Sequence, residues 1–268
     1  MSTVARTARG AATRALHPAL RRPTVWLVLP AYNEAENLPR LLERVAAAWT
    51  RRLRFRVLVV DDGSEDGTAA VAKAASPRLP VEVVRHQRNR GLAAAIRTGI
   101  HEVSRRVAAG DIVVTMDADN SHPPELVPEM VARINDGYDI VIASRFARGG
   151  REEGVPWPRR LLSRAASLVF RGVCPIDGVR DYTTGFRAYR AALLRRLWSI
   201  HGERLVEASA FSVMTEILLK ARTVRPRIAE VPLVLRYDLK EGPSKMRVGS
   251  TVRDYLDLLR REARARRT

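Results

Sequence analysis

One unit recurs along the first half of this chain: a short β-branched apolar run, a polar turn, then residues at helical spacing. Residues 24–30, TVWLVLP, form the first run; AYNEAEN follows, and Leu38, Leu41, Leu42 and Val45 then share one helical face. Asn33 is read as the N-cap of that helix, with Glu34 and Glu36 in its first turn. The second unit is FRVLVV at 55–60, the acidic turn DDGSEDGT and a helix through Ala75. Runs at 81–85, 111–114 and 139–144 repeat the form. NRGL and a helix to about Val107 follow the third, and a helix near 125–136 follows the fourth.

This alternation predicts an α/β fold with a mostly parallel, Rossmann-like sheet and helices on both faces. Such sheets bind ligands beyond the carboxyl ends of their strands. Pro30–Glu34, Asp61–Ser64 and Asp117–Asp119 all fall at such ends, so residues scattered in sequence are expected to line one crevice.

The fourth strand runs into Thr115-Met116-Asp117-Ala118-Asp119-Asn120-Ser121-His122. Two carboxylates one residue apart can hold a hard divalent cation, Mg²⁺ or Mn²⁺, and through it phosphate oxygens. The same residues also fit a solvated turn in which Asp119 or Ser121 caps the helix beginning near Pro123-Pro124. No Gly-x-Gly-x-x-Gly follows a strand and no phosphate-binding loop ending in Gly-Lys-Ser/Thr occurs. Phosphate would have to be met by metal and basic side chains.

Charge narrows the partners. The formal net charge is +18, which suits nucleic acid, anionic lipid or phosphorylated substrates, and equally a compositional bias toward arginine. The arginines lack the aromatic interleaving of single-strand binders, and no zinc or helix-turn-helix signature accompanies them, so nucleic acid is set aside. No apolar run approaches the ~18–20 residues of a membrane-spanning helix. The one cysteine, Cys174, can form no intrachain disulfide and suits a reducing compartment. Residues 1–22 contain no acidic side chain and are read as a disordered basic arm, leaving a domain over 23–250 and a basic amphipathic helix over 251–268.

In the second half, residues 147–158 are loop-like and 159–171 read as an amphipathic helix. Its apolar set is Leu161, Leu162, Ala165, Leu168 and Val169 and its polar set Arg160, Arg164 and Arg171. Such a helix either covers the core or lies on anionic lipid. DYTTGFRAYR, 181–190, leads into a helix at 191–198; a helix at about 210–221 carries Glu216, and a strand covers 228–235. YDLKEGPSK, 237–245, is a loop, and beyond it Val252, Tyr255, Leu256 and Leu259 share a helical face.

Taken in order, PAYNE (30–34), DDGSxDGT (61–68), NRGL (89–92), DAD (117–119), SR (144–145), TGFR (184–187) and SK (244–245) resemble the inverting glycosyltransferases of family 2. Within that family they are most similar to the dolichol- and polyprenol-phosphate mannose synthases. The resemblance covers about residues 24–250 and implies a GT-A-like fold. It further implies that Pro30, Tyr32 and Glu34 contact the base and ribose of a nucleotide sugar, with Val60 and Asp62 against the base. Asp117, Ala118 and Asp119 would hold the pyrophosphate region, Asp119 as principal metal ligand, with Asn120 or Ser121 completing the metal shell. Arg145, Lys245 and Arg187 would neutralise phosphates. Relatives carry an arginine six residues before the Ser-Lys lysine; here that position is Leu239, which leaves Lys240 or Arg236 to supply the charge.

The mechanism implied is attack on the anomeric carbon by an acceptor, with a nucleoside diphosphate leaving and its charge met by the cation and nearby Arg and Lys. A hydroxyl acceptor needs a carboxylate base, and Asp181 and Glu216 are the only nearby candidates. A polyprenyl or dolichyl monophosphate is already ionised and needs none, and Asp181 would then orient a phosphate-binding arginine or serve as a loop cap. GDP-mannose is the donor the resemblance favours. UDP-glucose or a UDP-N-acetylhexosamine, with a soluble or a different lipid acceptor, is the alternative, and a non-catalytic protein of the same fold a further one. The expected location is the cytoplasmic face of the membrane, reached peripherally through basic helices or a small membrane subunit.

Overall fold

In the computed structural model, which describes residues 22–208, 211–242 and 248–265, the repeated unit becomes a seven-stranded sheet in the order β3-β2-β1-β4-β7-β5-β8. The strands are β1 (Thr24–Ala31), β2 (Arg54–Asp61), β3 (Val81–Arg85), β4 (Ile112–Thr115), β5 (Ile140–Ser144), β7 (Arg187–Arg190) and β8 (Ile228–Pro232). A second sheet pairs β6 (Arg151–Glu153) with β9 (Val234–Arg236). All pairings in the main sheet are parallel except those of β7, which runs antiparallel to both β4 and β5. The mostly parallel sheet is therefore as expected. The inserted antiparallel strand is not, because TGFRAYR reads as a loop entering a helix.

The helices are α1 (Leu38–Trp49), α2 (Thr68–Ala75), α3 (Leu92–Ser104), α4 (Val127–Asn135), α5 (Trp157–Val173), α6 (Ala191–His201), α7 (Val213–Ala221) and α8 (Val248–Ala265). Alternate strand residues feed two cores. Val25, Leu27 and Leu29 pack with α1, α2 and α4, whereas Trp26 and Val28 pack with α3 and α5–α8. Every residue of β1 is buried, so the sheet is covered on both sides and its strands read as continuous apolar runs.

Three details depart from the sequence reading. Helix α1 starts at Leu38, and Asn33 is no N-cap: its φ is 52°, and its side chain and main chain bind the second motif instead. The Asn33 N–H donates to Ser64 Oγ (2.9 Å) and its Oδ1 accepts from the Glu65 N–H (3.0 Å). Helix α5 turns its apolar set outward, with Leu161 and Leu168 60% and 68% exposed, while Ala166, Ser167 and Phe170 face the core. The boundary expected at 250/251 falls inside α8, whose Thr251, Tyr255 and Leu258 are buried against the domain. The basic arm lies outside the described residues except for Arg22.

Candidate active site

Strand order reverses between β1 and β4, since β1 connects outward to β2 while β4 lies on its other side. The carboxyl ends of both strands open onto the same crevice, and the motif residues gather there. Asp66 ties the first two blocks together: its carboxylate accepts from the Ala35 N–H (2.9 Å) and the Thr68 N–H (3.0 Å). The Glu34 N–H donates to Thr68 Oγ1 (2.8 Å), and the Asn37 amide donates to Glu34 Oε2 (2.7 Å). Gly63 adopts φ +73° where a Cβ would stand 2.4 Å from the Arg88 carbonyl carbon, so only glycine lets the acidic turn pass the Arg88–Asn89 backbone.

Several residues given ligand roles by the family resemblance carry structural duties. The Asp62 carboxylate, 3% exposed, accepts from His86 Nδ1 (2.6 Å), the Arg90 N–H (3.0 Å) and the Gly91 N–H (2.7 Å). It thereby fixes the NRGL turn that begins α3. Val60 is fully buried in the α3 side of the core and offers no surface to a base. Pro30 is buried within β1 opposite Val60 and Glu34 is buried too, which leaves Tyr32 and Asn33 as the part-exposed residues of this block. Arg187 is fully buried; its guanidinium donates to the Met214 and Tyr182 carbonyls and reaches no crevice. Its expected role at phosphate is corrected to bracing β7 against α7.

The carboxylate pair does face the crevice. Asp117 keeps 43% of its side chain exposed, its N–H donates to His122 Nδ1 (3.3 Å), and the His122 ring stacks on Phe186 at 5.2 Å. Asp119 is buried; Oδ1 accepts from the Ser121 N–H (3.2 Å) and hydroxyl (2.6 Å), and Oδ2 accepts from Lys240 Nζ (2.7 Å). Burial pushes this carboxyl up, but Lys240, His122 and the Ser121 hydroxyl more than offset it and hold it at about 2. Ala118 lies between the two, buried in the opposite core. Ser121 thus reaches Asp119 rather than capping a helix.

A cavity of about 90 Å³ extends from this pair, lined also by Arg145, Arg159, Ser163 and Tyr255. Arg145 does not bring free charge to it. Its Nε and Nη2 pair with Asp181 (2.8 and 2.7 Å), Nη1 reaches Glu152 (3.3 Å) and Nη2 also meets Thr183. Burial lowers the guanidinium's proton affinity and the Asp181 charge raises it further, so the net shift is upward. Asp181 is fully buried; burial pushes it up and Arg145 pulls it below the usual carboxylate range. The reading of Asp181 as a group that orients an arginine fits this pair; a base role does not. Glu216, 1% exposed, accepts from the Glu207 and Ala208 N–H groups (2.9 and 2.8 Å) and pairs with Lys220.

Lys245 lies outside the described residues. Of the two substitutes for the loop arginine, Lys240 is at the site, whereas Arg236, the last residue of β9, pairs with Glu153 of β6 and with Asp238 in the turn beyond. Glu152, Arg159, Tyr255 and His122 received no role from the sequence. Arg159 and Tyr255 sit on helices read for their periodicity alone, and only the packing of α5 against α8 brings them to the cavity, with Phe170 edge-on to Tyr255 at 5.7 Å.

Among the described residues no group of three His, Cys, Asp or Glu side chains could by itself hold a metal. Two carboxylates at a crevice are nonetheless a donor set that suits Mg²⁺ or Mn²⁺, ions that take one or two carboxylates and complete their shell with phosphate and water. The Lys240 ammonium against Asp119 Oδ2 shows that this position accepts a cation.

Residues 26–198 match the sequence model of "Glycosyl transferase family 2". The chain is a family 2 glycosyltransferase. This glycosyltransferase is 36% identical to the dolichol-phosphate mannosyltransferase of Pyrococcus furiosus, over 87% of its own length and 61% of that protein's. It is 34% identical to the polyprenol monophosphomannose synthase of Mycolicibacterium smegmatis, over 88% and 86% of the two lengths. Its fold is that of a Mycobacterium tuberculosis glucosyl-3-phosphoglycerate synthase, solved with Mn²⁺ and UDP-glucose. That structure shares 21% identity and a TM-score of 0.62 over 89% of this chain and 77% of the other. The GT-A-like fold expected from the motifs is thereby borne out. Among the described residues no helix of the glycosyltransferase is long and apolar enough to cross a membrane.

Proposed function

We propose that this glycosyltransferase moves mannose from GDP-mannose, with inversion, onto the phosphate of a polyprenyl or dolichyl monophosphate at an anionic membrane surface. A divalent cation, Mg²⁺ or Mn²⁺, would be held by Asp117 and Asp119. When bound it would neutralise charge on the departing diphosphate. Mannose and the lipid acceptor rest on what the Pyrococcus and Mycolicibacterium relatives are called, and GDP on the motif resemblance alone.

The observation that carries the acceptor class is the state of the two carboxylates available as bases. Asp181 is fully buried and bound to Arg145, and Glu216 is nearly so and bound to main-chain N–H groups. Neither can reach an incoming hydroxyl. An acceptor that brings its own negative oxygen needs no proton removed. One phosphate oxygen forms the new bond to the anomeric carbon, the bond from that carbon to the donor's β-phosphate oxygen breaks, and the nucleoside diphosphate leaves with the electron pair. Arg159, on the cavity wall, supplies positive charge for the acceptor phosphate.

Helix α5 supports a membrane location. Trp157, Leu161 and Leu168 are 74%, 60% and 68% exposed, Arg160, Arg164 and Arg171 lie among them along the helix, and Leu256 of α8 is 48% exposed. Apolar side chains ringed by arginine suit the headgroup boundary of an anionic bilayer.

The test is transfer of labelled mannose from GDP-mannose to a short polyprenyl phosphate with Mg²⁺ or Mn²⁺, for wild type and Asp119→Ala. Metal-dependent formation of a mannosyl lipid phosphate, lost in the variant, is the expected result. Transfer to a soluble hydroxyl compound in the absence of lipid would overturn the acceptor class.

A further inference from the structure

Asp119 is served on both oxygens without any metal. Ser121 occupies Oδ1 through its N–H and hydroxyl, and the Lys240 ammonium occupies Oδ2 at 2.7 Å. The Lys240 side chain is 7% exposed, so this is an enclosed contact rather than a surface pair. A cation that is to bind Asp119 through Oδ2 must first move Lys240 away.

The backbone around Lys240 is held as well. The Glu241 N–H donates to Asn37 Oδ1 (2.9 Å), and the Asn37 amide donates back to the Glu241 carbonyl (3.1 Å). The same amide holds Glu34 Oε2 (2.7 Å), and the Lys240 ammonium stands 5.8 Å from the centre of the Tyr237 ring. Residues 237–241 thus form a strap from β9 across the crevice, pinned at one point to Asn37, just beyond the first motif block, and at another to the Asp119 carboxylate.

We propose that Lys240 is an internal counter-ion that competes with the divalent cation for Asp119, so that the nucleotide-free enzyme binds metal weakly and the strap lifts when metal enters. The ammonium is a compact point charge able to take the position of a small ion among oxygens. Its attachment to a tethered strap makes it the resident occupant. Once displaced, it stands beside the place where the diphosphate would sit and adds positive charge there, so metal and nucleotide binding reinforce one another. This inference rests on the reading of Asp119 as a metal ligand.

If the latch is closed in about nine molecules of ten, apparent metal affinity is reduced about tenfold. Mn²⁺ binding followed by electron paramagnetic resonance, with no nucleotide present, is the direct measurement. Lys240→Met should bind Mn²⁺ about tenfold tighter than wild type, and GDP should narrow the difference. Equal or weaker binding by Lys240→Met would overturn the latch while leaving the metal reading intact. Absence of Mn²⁺ binding in both proteins even with GDP would instead remove the metal site, and the latch with it. A second measurement uses wild type alone: hydrogen exchange at the Glu241 amide should speed up when Mn²⁺ and GDP are added. Unchanged exchange under conditions of measured Mn²⁺ binding would show that the strap does not lift.

Discussion

Asp181 and Arg145 face one another as a two-pronged pair, Oδ2 to Nε at 2.8 Å and Oδ1 to Nη2 at 2.7 Å, with the carboxylate fully buried and the guanidinium side chain 9% exposed. The same carboxylate accepts from the Arg145, Thr183 and Thr184 N–H groups. It therefore sets the end of β5 against the turn that leads into β7. Removing its charge leaves a buried guanidinium with Glu152 as its one acidic partner among the described residues. Breaking a buried pair in this way costs about 3–5 kcal/mol.

Asp181→Asn is accordingly expected to lower the free energy of unfolding by about 3–5 kcal/mol in denaturant titrations, well beyond a typical surface substitution. The acid dependence follows from the downward shift of Asp181. Its contribution is complete above the unfolded-chain value of about 3.9 and drains away as pH falls from there through the lower folded value. Wild-type stability should thus fall on that side and the variant should lack this component. A variant as stable as wild type that has lost only turnover would mark Asp181 as a base after all.

Arg187 gives a second separation of structural from ligand roles. It is fully buried, braced on the Met214 and Tyr182 carbonyls, and faces no ligand. Arg187→Met leaves those carbonyls short of donors, at about 1–3 kcal/mol for each one not otherwise satisfied. Its unfolding free energy should fall by that order, while GDP affinity of the folded protein, read by calorimetry, should stay within about twofold of wild type. A large loss of affinity at unchanged stability would restore Arg187 to the phosphate site.

How far the sequence carries the reader differs by element. Unbroken apolar runs define the parallel strands, because they are buried on both faces, and period-3.6 patterns define most helices. Strand β7 escapes this rule since Arg187 and Arg190 are polar letters whose guanidinium groups reach carbonyls elsewhere in the chain, Met214 O from Arg187 and Ile134 O at 2.7 Å from Arg190. Periodicity also shows that α5 is amphipathic without showing which face is inside. Ala166, Ser167 and Phe170 cover the core, and the more hydrophobic set points outward. At the site, the motif residues Asp117, Asp119 and Arg145 line one cavity. What no motif tells is the state of each charge, because Asp62 is spent on backbone groups at 90 and 91 and Arg145 on Asp181.

Gly185 tests the placement of Asp117. A Cβ added there would lie 3.2 Å from Asp117 Oδ1, close enough that the carboxylate must shift by a few tenths of an ångström. Nothing else in the core is crowded, so Gly185→Ala should melt within a few degrees of wild type. The Mn²⁺ concentration needed for half-maximal transfer should rise about tenfold, the effect of about 1.4 kcal/mol on a binding constant. An unchanged metal requirement would argue that Asp117 stays clear of the ion.

The outward face of α5 carries the last prediction. Trp157, Leu161 and Leu168 make little contact with the rest of the chain, so replacing all three with serine should change stability by about 0.5 kcal/mol or less for each. If they enter a bilayer, each would bury apolar surface worth about 1.5–3 kcal/mol when fully covered, so even partial insertion by three should matter by at least about tenfold in vesicle affinity. Arg160, Arg164 and Arg171 add attraction of about 1 kcal/mol each near anionic lipid, which salt screens. Cosedimentation with phosphatidylglycerol-containing vesicles should therefore weaken in the triple variant and, separately, at high salt. Transfer to a short, water-soluble polyprenyl phosphate should persist in that variant, since α5 reaches the cavity through Arg159 and Ser163 on a different face. Vesicle binding that survives the triple substitution would place the membrane contact elsewhere on the molecule.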